Sequence, residues 1–536
     1  MTPIELLKIK QNYYQNIRQR VESLLSGNSK QLKKYQDDYE KEIKSLKWTI
    51  GLKKDFFKCL IDHNLILTGD FHAHLQTTKA ILRLARKIGA EKLVIGLESL
   101  FSEHQGHLDD YMKGLITENE FLKKIEWAKN WGFPWEYTKT ILKWAVQHKV
   151  PVVGLNKIGA HDLNARDIFS AEVIGQTLKK YPDRKMIVQY GEFHLSQAHL
   201  PQKIEKVSRK LKLQVKTLVV MQSPEKIFFD LMRTGKDPAV VDFVKISKSR
   251  WAMMSIVPWV KWQDYLLYLE SGFDRRIKID DHDFTDHVHQ AIVLLKKVLS
   301  FDSLDTEDFS VYGVNDEILF DKIENLAKAE KKYYHELVLN GQSFYCPEGD
   351  FGFVARPTLN QISKVSAQVV LFKIGFYKQT MSDPQKKFLA LIWFEALSYF
   401  LTKIINPKKK TDTFEDIRLT LRNENFSDKG KEALTLALEQ KLNEVRFATL
   451  QDIKGFDRRY KLIKNKKSFY VAAQILGGIM GEKIYYAYKR KHFNWSKQKI
   501  FLLRDIYSEL FVRAYYESTE IVDSWPTSFK SKFDRF

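Results

Sequence analysis

Apolar positions along this chain fall into three regimes. Over roughly the first 50 residues Ile4, Leu7, Tyr14, Ile17, Val21 and Leu24 recur at helical spacing. The stretch "SGNSK" from Ser26 to Lys30 interrupts that pattern, and a second, charged helix is expected after it. From about residue 62 the apolar residues gather into short continuous runs: "NLILTG", "KLVIGLES", "VPVVGLN", "KMIVQYGE" and "LQVKTLVVM". Long helical stretches such as "LQTTKAILRLARKIG" separate them. Unbroken apolar runs alternating with helices predict parallel strands covered on both faces. After about residue 245 helical periodicity dominates, as in "DHVHQAIVLLKKVLSF" and "FLALIWFEALSYFLTKII", with "INPKKKTDT" read as an exposed connection. The expected fold is α/β: an open, mainly parallel sheet flanked by helices, followed by a mostly α-helical region. The expected divisions are a helical segment over 1–50, the α/β domain over 51–245 and the helical domain over 246–536.

Composition narrows this picture. A chain of 536 residues with 44% hydrophobic and 13% aromatic content can bury more than one core. Cys59 and Cys346 are the only cysteines, which excludes a disulfide framework and a cysteine-based zinc site. The N-terminus has neither an apolar signal core nor a lipobox-type cysteine. The best spanning candidate, "VAAQILGGIMGEKIYYAY", is interrupted by Gln474, Glu482 and Lys483. A soluble, cytoplasmic protein is the expectation. The net charge of +21 attracts nucleic acid, anionic lipid or acidic ligands without choosing among them.

The chemistry concentrates where the strands end. In an open parallel sheet, ligands bind beyond the carboxyl ends of the strands. The first run ends in Asp70, His72 and His74, the second in Glu98, the third in Asn156, and the fourth in Glu192 and His194. The pattern Gly-acid-Phe-His appears twice, as "GDFH" at 69–72 and "GEFH" at 191–194. Carboxylates and imidazoles at one locus suit a divalent cation that activates water, or a general acid–base set. Capping and satisfaction of buried backbone groups is the bland alternative for any one residue. Four strand ends together favour a functional site.

The blocks "TGDFHAHLQT", "VIGLESLFSEHQGHLDDYMKG", "WGFPWEYTKTILKWA", "VPVVGLN", "ARDIFSAEVI" and "YGEFHLSQAHLP" follow one another in order. Over roughly residues 60–225 they resemble the ChaN-like haem-binding family of the Tiki, TraB and erythromycin-esterase-like superfamily. The resemblance implies Asp70, His72, Glu98, Arg166, Asp167, Glu192 and His194 as ligand-binding positions, beside Asn156 at the third strand end. It implies haem, or a divalent metal held by His72, Glu98 and His194, as cofactor. The expected function is haem or metal-ion binding at the strand ends. The alternative is a metal-dependent hydrolase using the same three residues, as in more distant relatives. The family's haem-ligating tyrosine is not fixed by motif, since Tyr111, Tyr137 and Tyr190 all lie in the blocks. The chain departs from lipoprotein members by lacking the anchor signal and by its long helical extension. Expected partners are haem or another small molecule. A homodimer stays open, as does nucleic acid or an anionic membrane surface for the basic C-terminal region.

Other features weigh less. Trp127, Trp131 and Trp135 recur every fourth residue and would suit a porphyrin wall, but core packing is the favoured reading. "DDHDFTDHVHQ" at 280–290 could ligate a second metal, yet a helix start capped by Asp283 or Thr285 explains most of it. "DFGF" at Asp350 lacks the companions of a kinase site, and "GGIMGEK" lacks Walker spacing and reads as close helix packing. Cys59 reads as an inert thiol without a histidine partner. Lys408–Lys410, "KLIKNKKSF" and "YKRKHF" read as solvated basic faces.

Overall fold

A computed structural model of the protein describes residues 3–25, 30–72, 74–160, 162–270, 283–301, 304–306, 309–314, 316–375, 383–422, 428–450, 466–492, 510–526 and 529. Residues Thr2–Ile279 form one compact unit and Asp280–Arg535 a second.

The first unit is built on an eight-stranded sheet. In chain order its strands are β1 (Thr49–Gly51), β2 (Leu65–Asp70), β3 (Leu93–Phe101), β4 (Val152–Asn156), β5 (Lys185–Gly191), β6 (Thr217–Gln222), β7 (Phe243–Lys245) and β8 (Arg250–Met253). The spatial order is β1-β7-β8-β6-β2-β5-β3-β4. From β8 to β4 every pairing is parallel, while β1 and β7 form an antiparallel edge. The five apolar runs are β2 to β6. Leu65, Ile66, Leu67, Ile187, Val188 and Leu218 are fully buried, as continuous apolar strands require when helices cover both faces. The chain runs outward through β2, β3 and β4, then returns to lay β5 between β2 and β3 and β6 on the far side of β2. That reversal opens the crevice in which α/β sheets hold ligands. β1, β7 and β8 are strands of three or four residues, too short for periodicity to reveal.

The two N-terminal helices, Pro3–Leu24 and Lys30–Ser45, belong to this unit rather than standing apart from it. Tyr35, Tyr39 and Ile43 form a buried stripe along the second one. Residues 26–29 of the "SGNSK" break lie outside the described residues.

The second unit is largely helical but also contains a three-stranded sheet of β9 (Ser310–Tyr312), β10 (Phe344–Cys346) and β11 (Phe351–Phe353). "DFGF" is therefore strand β11 of that sheet. Asp283 accepts from the Thr285 backbone N–H at 2.8 Å, but the N-cap of the helix Thr285–Leu299 is Phe284, without a side-chain cap bond, so neither Asp283 nor Thr285 is the cap; residues 280–282 of that acidic run lie outside the described residues. Helices Pro384–Ile405 and Lys466–Lys489 pack closely. Between them Lys403 and Glu482, both fully buried, pair at 2.8 Å, and the Tyr399 hydroxyl donates to Glu482. Pro384–Ile405, rather than the 471–488 stretch, is long and apolar enough to cross a membrane, although 78% of its apolar window is buried in the unit.

The connection after it is not exposed. Asn406 and Lys408 are buried, and the Lys403 ammonium donates to the Lys409 carbonyl. Burial, with Lys364 nearby, pushes the Lys409 ammonium down to about 7. This corrects the solvated reading of Lys408–Lys410. Of the other basic stretches, residues 461–465 and Phe493 lie outside the described residues, while Lys489, Arg490 and Lys491 are exposed.

A Cβ on Gly481 would overlap the Ala396 carbonyl and meet Tyr399 Cβ at 2.9 Å. Gly481→Ala gains helix propensity of up to ~1 kcal/mol, but the forced separation of the helices should outweigh it, for a net loss of about 1–3 kcal/mol. Denaturant unfolding of the full chain checks this; an unchanged or raised midpoint for the C-terminal unit would show that the helices are not held this close.

Candidate functional site

The site begins with two neighbouring strands. In the β2–β5 ladder Asp70 lies opposite Gly191 and Gly69 opposite Tyr190, so the two copies of the Gly-acid-Phe-His pattern run side by side, offset by one residue. The offset brings the Glu192 carboxylate over Gly69, where a Cβ would overlap Oε2. It also makes Gly191 the point of convergence. A Cβ there would lie 3.3 Å from Glu98 Oε2, 3.3 Å from His194 Cδ2 and 3.4 Å from His72 Nε2. The bare backbone is what lets groups from β2, β3 and β5 close on one another.

Each carboxylate at these strand ends has its own partners. Asp70 Oδ2 lies 2.7 Å from His72 Nδ1, and Oδ1 accepts from Thr77 at 2.6 Å. Burial pushes the Asp70 carboxyl up, but the bonds from His72, Thr77 and Gln189 outweigh it and hold it below the usual range. Burial likewise pushes the His72 imidazole down, yet Asp70 and then Glu98 outweigh it and raise it above its ordinary value. An ionised carboxylate only accepts, so His72 donates through Nδ1 and presents Nε2 to the crevice. That Nε2 lies 3.9 Å from Glu98 Oε2. Glu98 is buried; it accepts from Arg166 Nη2 at 2.9 Å and from the Gly191 N–H at 2.5 Å. Asn156 Oδ1 accepts from Arg166 Nε at 3.2 Å and so orients the guanidinium. Asp167, fully buried, lies 2.6 Å from His194 Nδ1 and accepts from the Tyr35 hydroxyl at 2.9 Å. Glu192 accepts from the Tyr39 hydroxyl at 2.6 Å and from the Gln222 N–H at 3.1 Å.

The eight positions expected to bind a ligand, Asp70, His72, Glu98, Asn156, Glu192 and His194 after the strands with Arg166 and Asp167 on the helix Leu163–Lys180, thus lie in one connected neighbourhood, but the two pattern copies are not equivalent. The first His pairs with its own acid; the second pairs with Asp167 from the helix Leu163–Lys180. His194 is only 6% exposed, so its loss would deprive the buried Asp167 carboxylate of its imidazole. His74 points elsewhere and pairs with Asp264 of the helix Pro258–Glu270. Cys59 does have a histidine neighbour, His63 Nδ1 at 3.7 Å, but burial raises its thiol.

Beside His72 a cavity of about 10 Å³ is lined by Asp70, Glu98, Trp131, Phe133 and Tyr137 among others. That is room for roughly one water molecule. The rings of Trp131 and Phe133 sit 4.8 and 5.0 Å from that of His72, so Trp131 serves both the core, with Trp127 and Trp135, and the site. Of the three tyrosines in the motif blocks, Tyr137 lines this cavity, Tyr111 stacks on Phe121, and Tyr190 is buried against Ser170. Among the described residues no group of three or more His, Cys, Asp or Glu is arranged to hold a metal ion. With Trp131 and Phe133 in these positions the cavity beside His72 is too small for a porphyrin.

Sequence reasoning missed the residues that close the site from outside the sheet. The helix Lys30–Ser45 supplies Tyr35 and Tyr39, and its Glu42 accepts from Ser196 Oγ and the Gln197 N–H and pairs with Arg250. Lys261, buried on the helix Pro258–Glu270, pairs with Glu225 at 2.6 Å and lies over the Phe71 ring. The spacing of Tyr35, Tyr39 and Ile43 within a charged helix was the available clue.

Comparisons with known proteins match part of this unit. Residues 56–158 match the sequence model of a family described as "Haem-binding uptake, Tiki superfamily, ChaN". That range holds β2 to β4, with Asp70, His72, Glu98 and Asn156; Arg166, Asp167, Glu192 and His194 lie beyond it. Among solved structures, one described as "Cofacial heme binding to ChaN of Campylobacter jejuni" is similar at 18% identity, covering 32% of this chain and 86% of that one, with a TM-score of 0.24. No curated protein matches the chain.

Burial pushes the Glu192 carboxyl up to about 7, against the pull of Lys261, Tyr39 and the Gln222 N–H. Between its ordinary value of 4.5 and about 7 the folded chain keeps a proton that the unfolded chain has lost. Stability from this group is therefore complete below the ordinary value and is lost as pH rises through 7. Glu192→Gln removes the titration. Its stability relative to the parent should improve by on the order of 3 kcal/mol between pH 4.5 and 8. Urea unfolding at the two pH values measures this, and a pH-independent difference would rule it out.

Proposed function

We propose that the chain is a ChaN-like haem-binding protein. The observation that carries this reading is the family match over residues 56–158, which contains three strands of the parallel sheet and the polar residues at their ends. The cluster around Gly191 adds imidazoles held in one orientation by carboxylates, the way proteins fix histidines for a ligand. When bound, haem would supply the redox and ligand-exchange chemistry of its iron; the chain's own part is to bind and orient it. For haem to reach His72 at the strand ends, Trp131 and Phe133 must leave its ring.

A second reading is a hydrolase of the wider superfamily, and one observation favours it. His72, pinned through Nδ1 by Asp70, presents Nε2 beside a cavity of one water's size, with Glu98 held by Arg166 opposite. There His72 would take a proton from the water as general base, and Arg166 with the Gly191 N–H would hold Glu98 in place.

Titration of the purified full chain with haemin tests the first reading: a Soret band should shift and saturate at micromolar haemin, and a linear, non-saturating response would contradict it. For the hydrolytic reading, His72→Ala should lose about 10²-fold or more of any ester hydrolysis the parent shows. Equal rates in parent and variant would dismiss that reading.

A further inference from the structure

The strand ends leave room for a water molecule, but another face of the same unit leaves far more. A groove of about 920 Å³ runs along β4, the outermost strand of the parallel sheet. Its size falls in the range of pockets that hold cofactors, roughly 300–1,000 Å³.

An open sheet edge usually invites another strand. Here the edge is already satisfied. The Gln105 side-chain amide donates to the Val152 carbonyl at 2.9 Å and accepts from the Gly154 N–H at 3.0 Å, as a neighbouring strand would. The Ser102 hydroxyl donates to the Gly154 carbonyl at 2.6 Å. With its backbone groups paired, the edge offers side chains instead of hydrogen bonds.

Those side chains form an apolar body with a cationic rim. Val146, Val153, Phe169 and Leu211 line the groove, and Val146 is 42% exposed. Lys113, Lys149, Lys180 and Lys210 also line it, against Asp109 and Glu172, and all four lysines are exposed. Such a groove suits an apolar molecule with carboxylates at its margin. Apolar contact supplies the binding energy, and the ammonium groups meet the carboxylates where water still reaches them.

We propose that this groove, rather than the crevice at the strand ends, receives the haem, a tetrapyrrole dicarboxylate. The proposal rests on the haem-binding reading and gives it a location that requires no displacement of Trp131 and Phe133. It leaves the paired imidazoles of the strand ends as a separate polar site.

The test uses the full chain and haemin. Lys149→Glu/Lys180→Glu reverses two rim charges, and Val146→Glu puts a carboxylate on the apolar wall. All three positions are exposed, so folding should be kept, as circular dichroism will report. Each variant should weaken haemin binding at least tenfold in a Soret titration. Haemin should also protect Lys149 and Lys180 of the parent from acetylation, read by mass spectrometry. If the parent binds and both variants bind equally well, haem binding stands and the groove assignment falls; a loss in His72→Ala alone would return the haem to the strand ends. If the variants change only the sedimentation behaviour, the groove is a self-association surface and the proposal is overturned. If the parent itself does not bind haemin, the haem-binding reading fails and takes the proposal with it.

Discussion

Carboxylates are costly to bury unless each is paired, and four of them meet at the ends of one parallel sheet. Glu98, Asp167 and Glu192 are buried and Asp70 nearly so. The surrounding architecture answers that constraint. Arg166, His72 and His194 bring positive or donating groups, the Gly191 and Gln222 N–H groups bring backbone, and Tyr35 and Tyr39 bring hydroxyls. The carboxylates differ in outcome. Asp70 is held below the usual carboxylate range by its bonds, whereas burial pushes Glu192 up to about 7 against the pull of Lys261. Groups with opposed protonation behaviour at the ends of adjacent strands are the raw material of acid–base chemistry and of ligand orientation alike.

The same constraint explains the N-terminal helices. Taken alone, the helix Lys30–Ser45 is a charged helix with three apolar residues on one face. In the fold it completes the hydrogen bonding of Asp167 and Glu192, and its Glu42 ties down the turn after β5. Tyr35 stacks on His199 with ring centroids 3.6 Å apart, which adds apolar contact to the polar closure. Removing this helix would leave two buried carboxylates short of donors, so it belongs to the site as much as the strands do.

Much of this was legible in the sequence. Continuous apolar runs are the direct consequence of burial on both faces, so β2 to β6 could be read, and parallel topology then gathered Asp70, Glu98, Asn156 and Glu192 at one end. Short edge strands such as β7 and β8 leave no such trace, because three or four residues cannot express a period. The pairing of His194 with Asp167 was equally hidden: both residues stood in motif blocks, but 27 positions apart. The doubled Gly-acid-Phe-His pattern suggested two equivalent halves, and only the one-residue offset between β2 and β5 shows why they differ. The "INPKKKTDT" stretch misled for a related reason. Lysines read as solvated by composition, while the Lys403–Glu482 pair and the Lys409 carbonyl draw that loop inward.

The central claim is that the Asp70 carboxylate fixes the His72 imidazole through Nδ1 and leaves its Nε2 facing the crevice at Gly191. Nitrogen-15 NMR titration of the histidine side chains, with His72 assigned by its loss in His72→Gln, tests this directly. The account predicts an Nδ1–H tautomer for neutral His72 and a titration midpoint above the ordinary imidazole value, since Asp70 and Glu98 outweigh burial. An Nε2–H tautomer, or a midpoint at or below the ordinary value, would contradict it.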